Sequence, residues 1–122
     1  MKKGGEAAAP KFVVEAALHS KGSPAASHIL VAYGPKWVTL SLGEAQEGAK
    51  DIELAEDSDN PVPADVGTFS GLILAVRCRD DKDAKIQVEF LVYRAQSGKI
   101  VGTEKSKTSL SNGGSHDIPL PW

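Results

Sequence analysis

Thr68-Phe-Ser-Gly-Leu-Ile-Leu-Ala-Val-Arg-Cys-Arg79 and Ala84-Lys-Ile-Gln-Val-Glu-Phe-Leu-Val-Tyr-Arg-Ala95, joined by Asp80-Asp-Lys-Asp83, are the stretch that decides the fold. In the second segment Ile86, Val88, Phe90 and Val92 alternate with Gln87, Glu89, Leu91 and Tyr93. That period of two sends neighbouring side chains to opposite faces of a strand. In the first segment Cys78 is in phase with Leu72, Leu74 and Val76. Both segments are rich in β-branched and aromatic residues, and the charged tetrapeptide between them supplies a turn. They read as the central hairpin of a β protein.

The same signature extends outward. Phe12, Val14, Ala16 and Leu18 share one face of a strand, and Val13, Glu15, Ala17 and His19 the other. Ser20-Lys-Gly-Ser-Pro24 is a turn, and Ser27 to Tyr33 is apolar enough for a buried strand. Gly34-Pro35 ends that strand, because proline has no N–H to give to a ladder. From Lys36 to Leu42, Val38, Leu40 and Leu42 alternate with Trp37, Thr39 and Ser41. The two strands around Gly34-Pro35 form either a hairpin or a corner between two sheets. Gly43 to Lys50 is polar, with room for one helical turn at Glu44 to Glu47, and a short strand is expected at Asp51 to Leu54. Ala55 to Gly67, with two prolines and several acids, is the longest loop. Beyond the central pair, Gln96-Ser-Gly98 turns the chain into a strand at Lys99 to Lys105. Ser111 to Gly114 turns it again toward a last short strand or tail at His116 to Leu120.

These segments predict an all-β chain: an antiparallel two-sheet β-sandwich of about seven or eight strands, with a small β-barrel as the alternative. No segment keeps a helical period and no internal repeat stands out. With 122 residues the chain has the size of one domain. Residues 1–10 read as a flexible leader and 11–122 as a single β-sandwich domain.

Composition excludes several function classes. A net charge of −2 argues against nucleic acid as the main partner, since phosphate binding needs a basic stripe. Lys99, Lys105 and Lys107 read as a solvated strand edge. No apolar stretch approaches the ~18 residues of a membrane-spanning helix. Met1 to Pro10 has lysines but no apolar core, so it is not a signal peptide. The compartment stays open: periplasmic or secreted if a signal was removed, otherwise cytoplasmic. One cysteine, Cys78, excludes an internal disulfide and a multi-cysteine zinc site, and its phase predicts a buried thiol.

Candidate chemistry is sparse. Asp57, Asp59 and Asn60 in the long loop, with Asp80, Asp81 and Asp83 in the central turn, are oxygen ligands of the kind calcium takes, if both loops share one end of the sandwich. Their spacing does not follow the twelve-residue calcium-loop pattern, and a solvated acidic turn is the plainer reading. His19, His28 and His116 stand on or beside different strands, and nothing repeats at ligand spacing. Trp37 opposes the apolar phase of its strand and is either a packing residue or a contact. Trp122, after Ile118-Pro-Leu-Pro121, either lies on its own domain or docks on a neighbour. There is no nucleophile elbow, phosphate loop or zinc-protease motif, and no cofactor is expected.

The order of a strand at Phe12 to Leu18, a run ending in Gly34, the alternating Trp37-Val-Thr-Leu-Ser-Leu42 and the long pair Leu72 to Arg79 and Ile86 to Tyr93 resembles β-rich modules of bacterial outer-membrane secretins and related envelope proteins. The resemblance is of pattern and carries over no site residue. It implies a cell-envelope interaction module rather than a channel. Together these readings predict a non-enzymatic protein-interaction or structural module, with a protein partner or a homo-oligomer formed through strand edges. The alternative is a small-ligand or calcium-binding β domain using the acidic loops.

Overall fold

The computed structural model describes residues 11–43, 54, 58–63, 66–80 and 85–122. The expected leader, the turn at Glu44 to Glu47 and residues 51–53 of the expected short strand lie outside them.

Seven strands are described: β1 Phe12–His19, β2 Ala26–Ala32, β3 Val38–Leu42, β4 Gly71–Asp80, β5 Ile86–Gln96, β6 Lys99–Leu110 and β7 Ser115–Pro119. They form two sheets, a three-stranded one in the order β2-β1-β7 and a four-stranded one in the order β3-β4-β5-β6. Every pairing is antiparallel except β1 with β7. The protein is a β-sandwich, and its two separate ladders replace the barrel alternative. Among the described residues no helix is long and apolar enough to cross a membrane.

The alternation in the sequence builds the core directly. Phe12, Val14, Ala16 and Leu18 of β1 meet Leu74, Val76 and Cys78 of β4 and Val88, Phe90 and Val92 of β5. Each large side chain buried there contributes about 1.5–3 kcal/mol relative to exposure. Burial pushes the Cys78 thiol up to about 11, as expected of a structural cysteine.

Gly34-Pro35 is a corner, with β2 in one sheet and β3 in the other. The Cys78 N–H donates to Gly34 O at 3.1 Å and ties that corner to β4. The turn between β5 and β6 is as tight as the sequence indicates, with Ser97 and Gly98 at φ of 48° and 83°. Two positive φ values are what a two-residue hairpin turn needs.

Most boundaries fall within two residues of the sequence reading, and two differ by more. β4 begins at Gly71 instead of Thr68, because Phe69 leaves the ladder to cover the outer face of the four-stranded sheet. β6 runs on to Leu110, five residues past Lys105. Its inward positions there include Ser106 and Thr108, opposite Phe90 and Val88, so the apolar alternation that marks a strand is missing.

Candidate functional site

The four-stranded sheet is buried on both faces. Its outer face carries Ile73, Ala75, Leu91, Tyr93 and Ala95, and Trp37 and Phe69 pack on them. At the centre of this apolar face stands Arg77, only 3% exposed. A buried cation requires partners, and Arg77 has several. Its Nε and Nη2 both donate to Glu89 Oε2, at 3.0 and 2.8 Å, across the β4–β5 ladder. Nη2 also donates to Asp59 Oδ1 at 2.7 Å and Nη1 to Ser58 O at 3.3 Å. The guanidinium lies 4.5 Å from the centre of the Trp37 ring, a cation–π contact.

These bonds clasp the segment 58–63 onto the sheet. Trp37 Nε1 donates to Ser58 O at 3.1 Å. Lys105 Nζ donates to Asp59 O at 2.8 Å and to Asn60 Oδ1 at 3.2 Å. The Tyr93 hydroxyl donates to Pro61 O. Pro61 and Pro63 are buried, with Val62 pointing outward between them. Desolvation works against the charge on Arg77, but the hydrogen bonds it donates to Asp59 and Glu89, with their negative charge, outweigh it and hold the guanidinium pKa up. The Arg77 hydrogen bond, reinforced by its charge, draws the Asp59 carboxyl below its ordinary 3.8.

Of the six acidic-loop candidates, Asp59 and Asn60 are described with their side chains, and both give their oxygens to cationic side chains of the sheet. Asp80 closes β4 opposite Ile86. Asp57, Asp81 and Asp83 lie outside the described residues. Trp37 is part of the clasp. Trp122 lies against the inner core, beside the sheet edge at Gly102.

The histidines do not converge. His28 and His116 flank Ala16 from either side on neighbouring strands, two strand spacings or about 10 Å apart. His116 Nε2 bonds Ser106 Oγ at 2.7 Å and its ring stacks on Phe90, centroids 5.7 Å apart. His19 sits 3.3 Å from Asp117. Among the described residues no three His, Cys, Asp or Glu side chains gather as a metal site would need.

The sequence reading passed over Arg77 and Glu89, because a turn at Asp80–Asp83 pairs Arg77 with Ile86. The actual register pairs Asp80 with Ile86 and so sets Arg77 opposite Glu89, an acid and a base on one face of adjacent strands.

Each sheet has two edge strands, and one of them is β2. Among the described residues β2 pairs only with β1. Its residues, Ala26-Ser-His-Ile-Leu-Val-Ala32, include no lysine, arginine, aspartate or glutamate. Ile29 is 69% exposed on it, and Tyr33, just beyond its end, is 54% exposed. The longest edge strand, β6, is built differently, with Lys99, Lys105, Lys107 and Glu104 along it. Charges of that kind discourage pairing with another strand.

No protein-family model, curated protein or solved structure matches the chain.

Proposed function

We propose that this β-sandwich is a non-enzymatic protein-interaction module that takes an extended segment of a partner protein onto the edge of β2. The observation that carries the reading is the contrast among the four edge strands: β2 is seven residues long and uncharged with Ile29 69% exposed, β6 is lysine-lined, β7 carries Asp117, and β3, uncharged too, is five residues long with Leu40 only 37% exposed. An edge strand offers a row of N–H and C=O groups, and a partner strand satisfies them while side chains on alternate positions set specificity. Ile29 and Val31 share one phase of β2, on the outer face of the three-stranded sheet, so a partner with an apolar residue in register covers exposed Ile29. A second copy of the chain pairing β2 to β2 about a twofold axis is the homo-oligomeric form of the same mechanism. The resemblance in pattern to secretin-type modules supports a cell-envelope setting for that partner.

The test is partner recovery with the full chain and two edge variants. Ile29→Lys puts a charge on the β2 edge at an exposed position, and Val101→Lys does the same at an exposed position on β6. The proposal expects Ile29→Lys to lose the partner, or to leave a monomer where the unaltered chain is a dimer. Val101→Lys keeps it. Equal recovery by Ile29→Lys and the unaltered chain, with both variants folded, contradicts the proposal.

A further inference from the structure

We infer that the cavity at the Trp122 end of the sandwich binds a small organic anion carried on a ring. The register of β5 creates this cavity. Phe90, Val92, Arg94 and Gln96 follow one another on the inner face, and β4 offers Val76, Leu74 and Leu72 opposite the first three. The core is apolar as far as Val92. The next inward position is Arg94, so the two sheets cannot close on each other there as they do around Phe90. A space of about 400 Å³ opens, lined by Lys21, Ser70, Leu72, Arg94, Gln96 and Trp122 among others. That volume falls within the range of small-molecule sites, at its smaller end.

Its walls have a definite chemistry. Lys21 and Arg94 supply two positive charges, and no aspartate or glutamate is among the lining residues. Neither cation forms an ion pair with a described residue. Ser70 Oγ accepts the Ser97 N–H at 2.9 Å, which leaves its hydroxyl proton free to donate. Trp122 forms an aromatic wall and is held in place twice. Its carbonyl accepts the Lys21 N–H at 3.0 Å, and its ring lies so close on Gly102 that a Cβ there would stand 2.7 Å from Cζ3. Cations without an ion pair to a described residue, a hydroxyl donor and a fixed aromatic ring together select an anionic group on a flat apolar body, such as an aromatic carboxylate or phosphate ester.

The experiment is a titration of the full, isotope-labelled chain followed by amide and indole NMR shifts. Benzoate and phenyl phosphate are the probes, with benzamide as the neutral twin and inorganic phosphate as the anion without a ring. The expected result is saturable binding of one or both aromatic anions, with shifts at Lys21, Leu72, Arg94 to Gln96 and the Trp122 indole. Benzamide and inorganic phosphate bind at least about tenfold more weakly, the loss of one charge-assisted or stacking contact. Arg94→Gln and Lys21→Gln each weaken the anion by a similar factor and leave the melting temperature in place. Absence of saturable shifts at these residues up to millimolar probe, or equal binding of benzamide, overturns the inference. So does unchanged affinity in both variants. Preference for phenyl phosphate over benzoate, or the reverse, tells which acid the site takes.

Discussion

Arg77 and Glu89 face each other across the β4–β5 ladder, and two guanidinium nitrogens converge on the single oxygen Glu89 Oε2 at 2.8 and 3.0 Å. The pair sits in the middle of an apolar sheet face, with Arg77 almost wholly buried and Glu89 largely so. Taking either charge out of water costs several kcal/mol unless the other is present. The pair therefore fixes where the 58–63 segment docks more than it adds to stability.

A double-mutant cycle separates those two effects. Glu89→Leu strips Arg77 of its buried partner and should cost about 3 kcal/mol. Arg77→Met leaves the Glu89 carboxylate without its partner and should also destabilise, but by less, because Glu89 keeps 19% exposure where Arg77 has 3%. The double variant should be more stable than Glu89→Leu alone, a sign reversal that urea unfolding reads directly. Additive losses would mean the pair is not coupled as the distances indicate.

Acid should loosen the clasp. The Asp59 pKa is lowered in the fold, so its contribution is complete above the ordinary 3.8 and disappears as pH falls through the lower folded value. Asp59→Asn should melt below the unaltered chain at neutral pH, and the gap should close as the pH falls below 3.8 through the lowered folded value. A gap that persists in acid would assign the effect to something other than the carboxylate charge. Because Trp37 bonds the same segment, its fluorescence reports the release independently.

At the alkaline end, Tyr93 donates to Pro61 O, and burial pushes the phenol pKa up to about 12. A raised phenol pKa means stability that is full below the ordinary 10.0 and declines as pH rises through about 12. Tyr93→Phe should cost about 1–2 kcal/mol at neutral pH, the value of a buried hydrogen bond whose acceptor is left unpaired. It should also lose the fall in stability above pH 10 that the unaltered chain shows.

The β5–β6 turn tolerates no side chain at Gly98. Its φ is 83°, and a Cβ there would lie 2.0 Å from Gly67 O. Gly98→Ala should destabilise by at least about 2 kcal/mol, from backbone strain and the forced shift of the Gly67 carbonyl. Gly22, also at positive φ but with open space around its Cβ position, is the comparison that isolates strain from collision.

The strands were legible in the sequence wherever one face is buried and the other is not. Phe12 to Leu18 and Ile86 to Val92 show it, because the pleat imposes a period of two on what must be apolar. β6 was legible only to Lys105, since its inward Ser106 and Thr108 lie at a sheet edge, where Ser106 bonds His116 instead of filling the core. The parallel pairing of β7 with β1 left no trace, because Ser115-His-Asp-Ile-Pro119 is too short and polar to announce a partner. At the candidate site, local patterning showed the acids of the long loop but not their destination. Asp59 reaches Arg77 across 18 residues of sequence, and no period encodes a contact of that kind. The open edge of β2 needed the topology, because an uncharged strand is an edge only once its neighbours are known.

The most direct test is hydrogen–deuterium exchange of the full chain, alone and with the partner recovered by it, read at single amides. Strand addition predicts that alternate amides of Ala26–Ala32, those pointing away from β1, exchange quickly in the free protein and are strongly slowed in the complex. The amides of β6 should be unchanged. Protection on the lysine-lined edge or in the loops, with β2 exchanging as it does alone, would contradict the account.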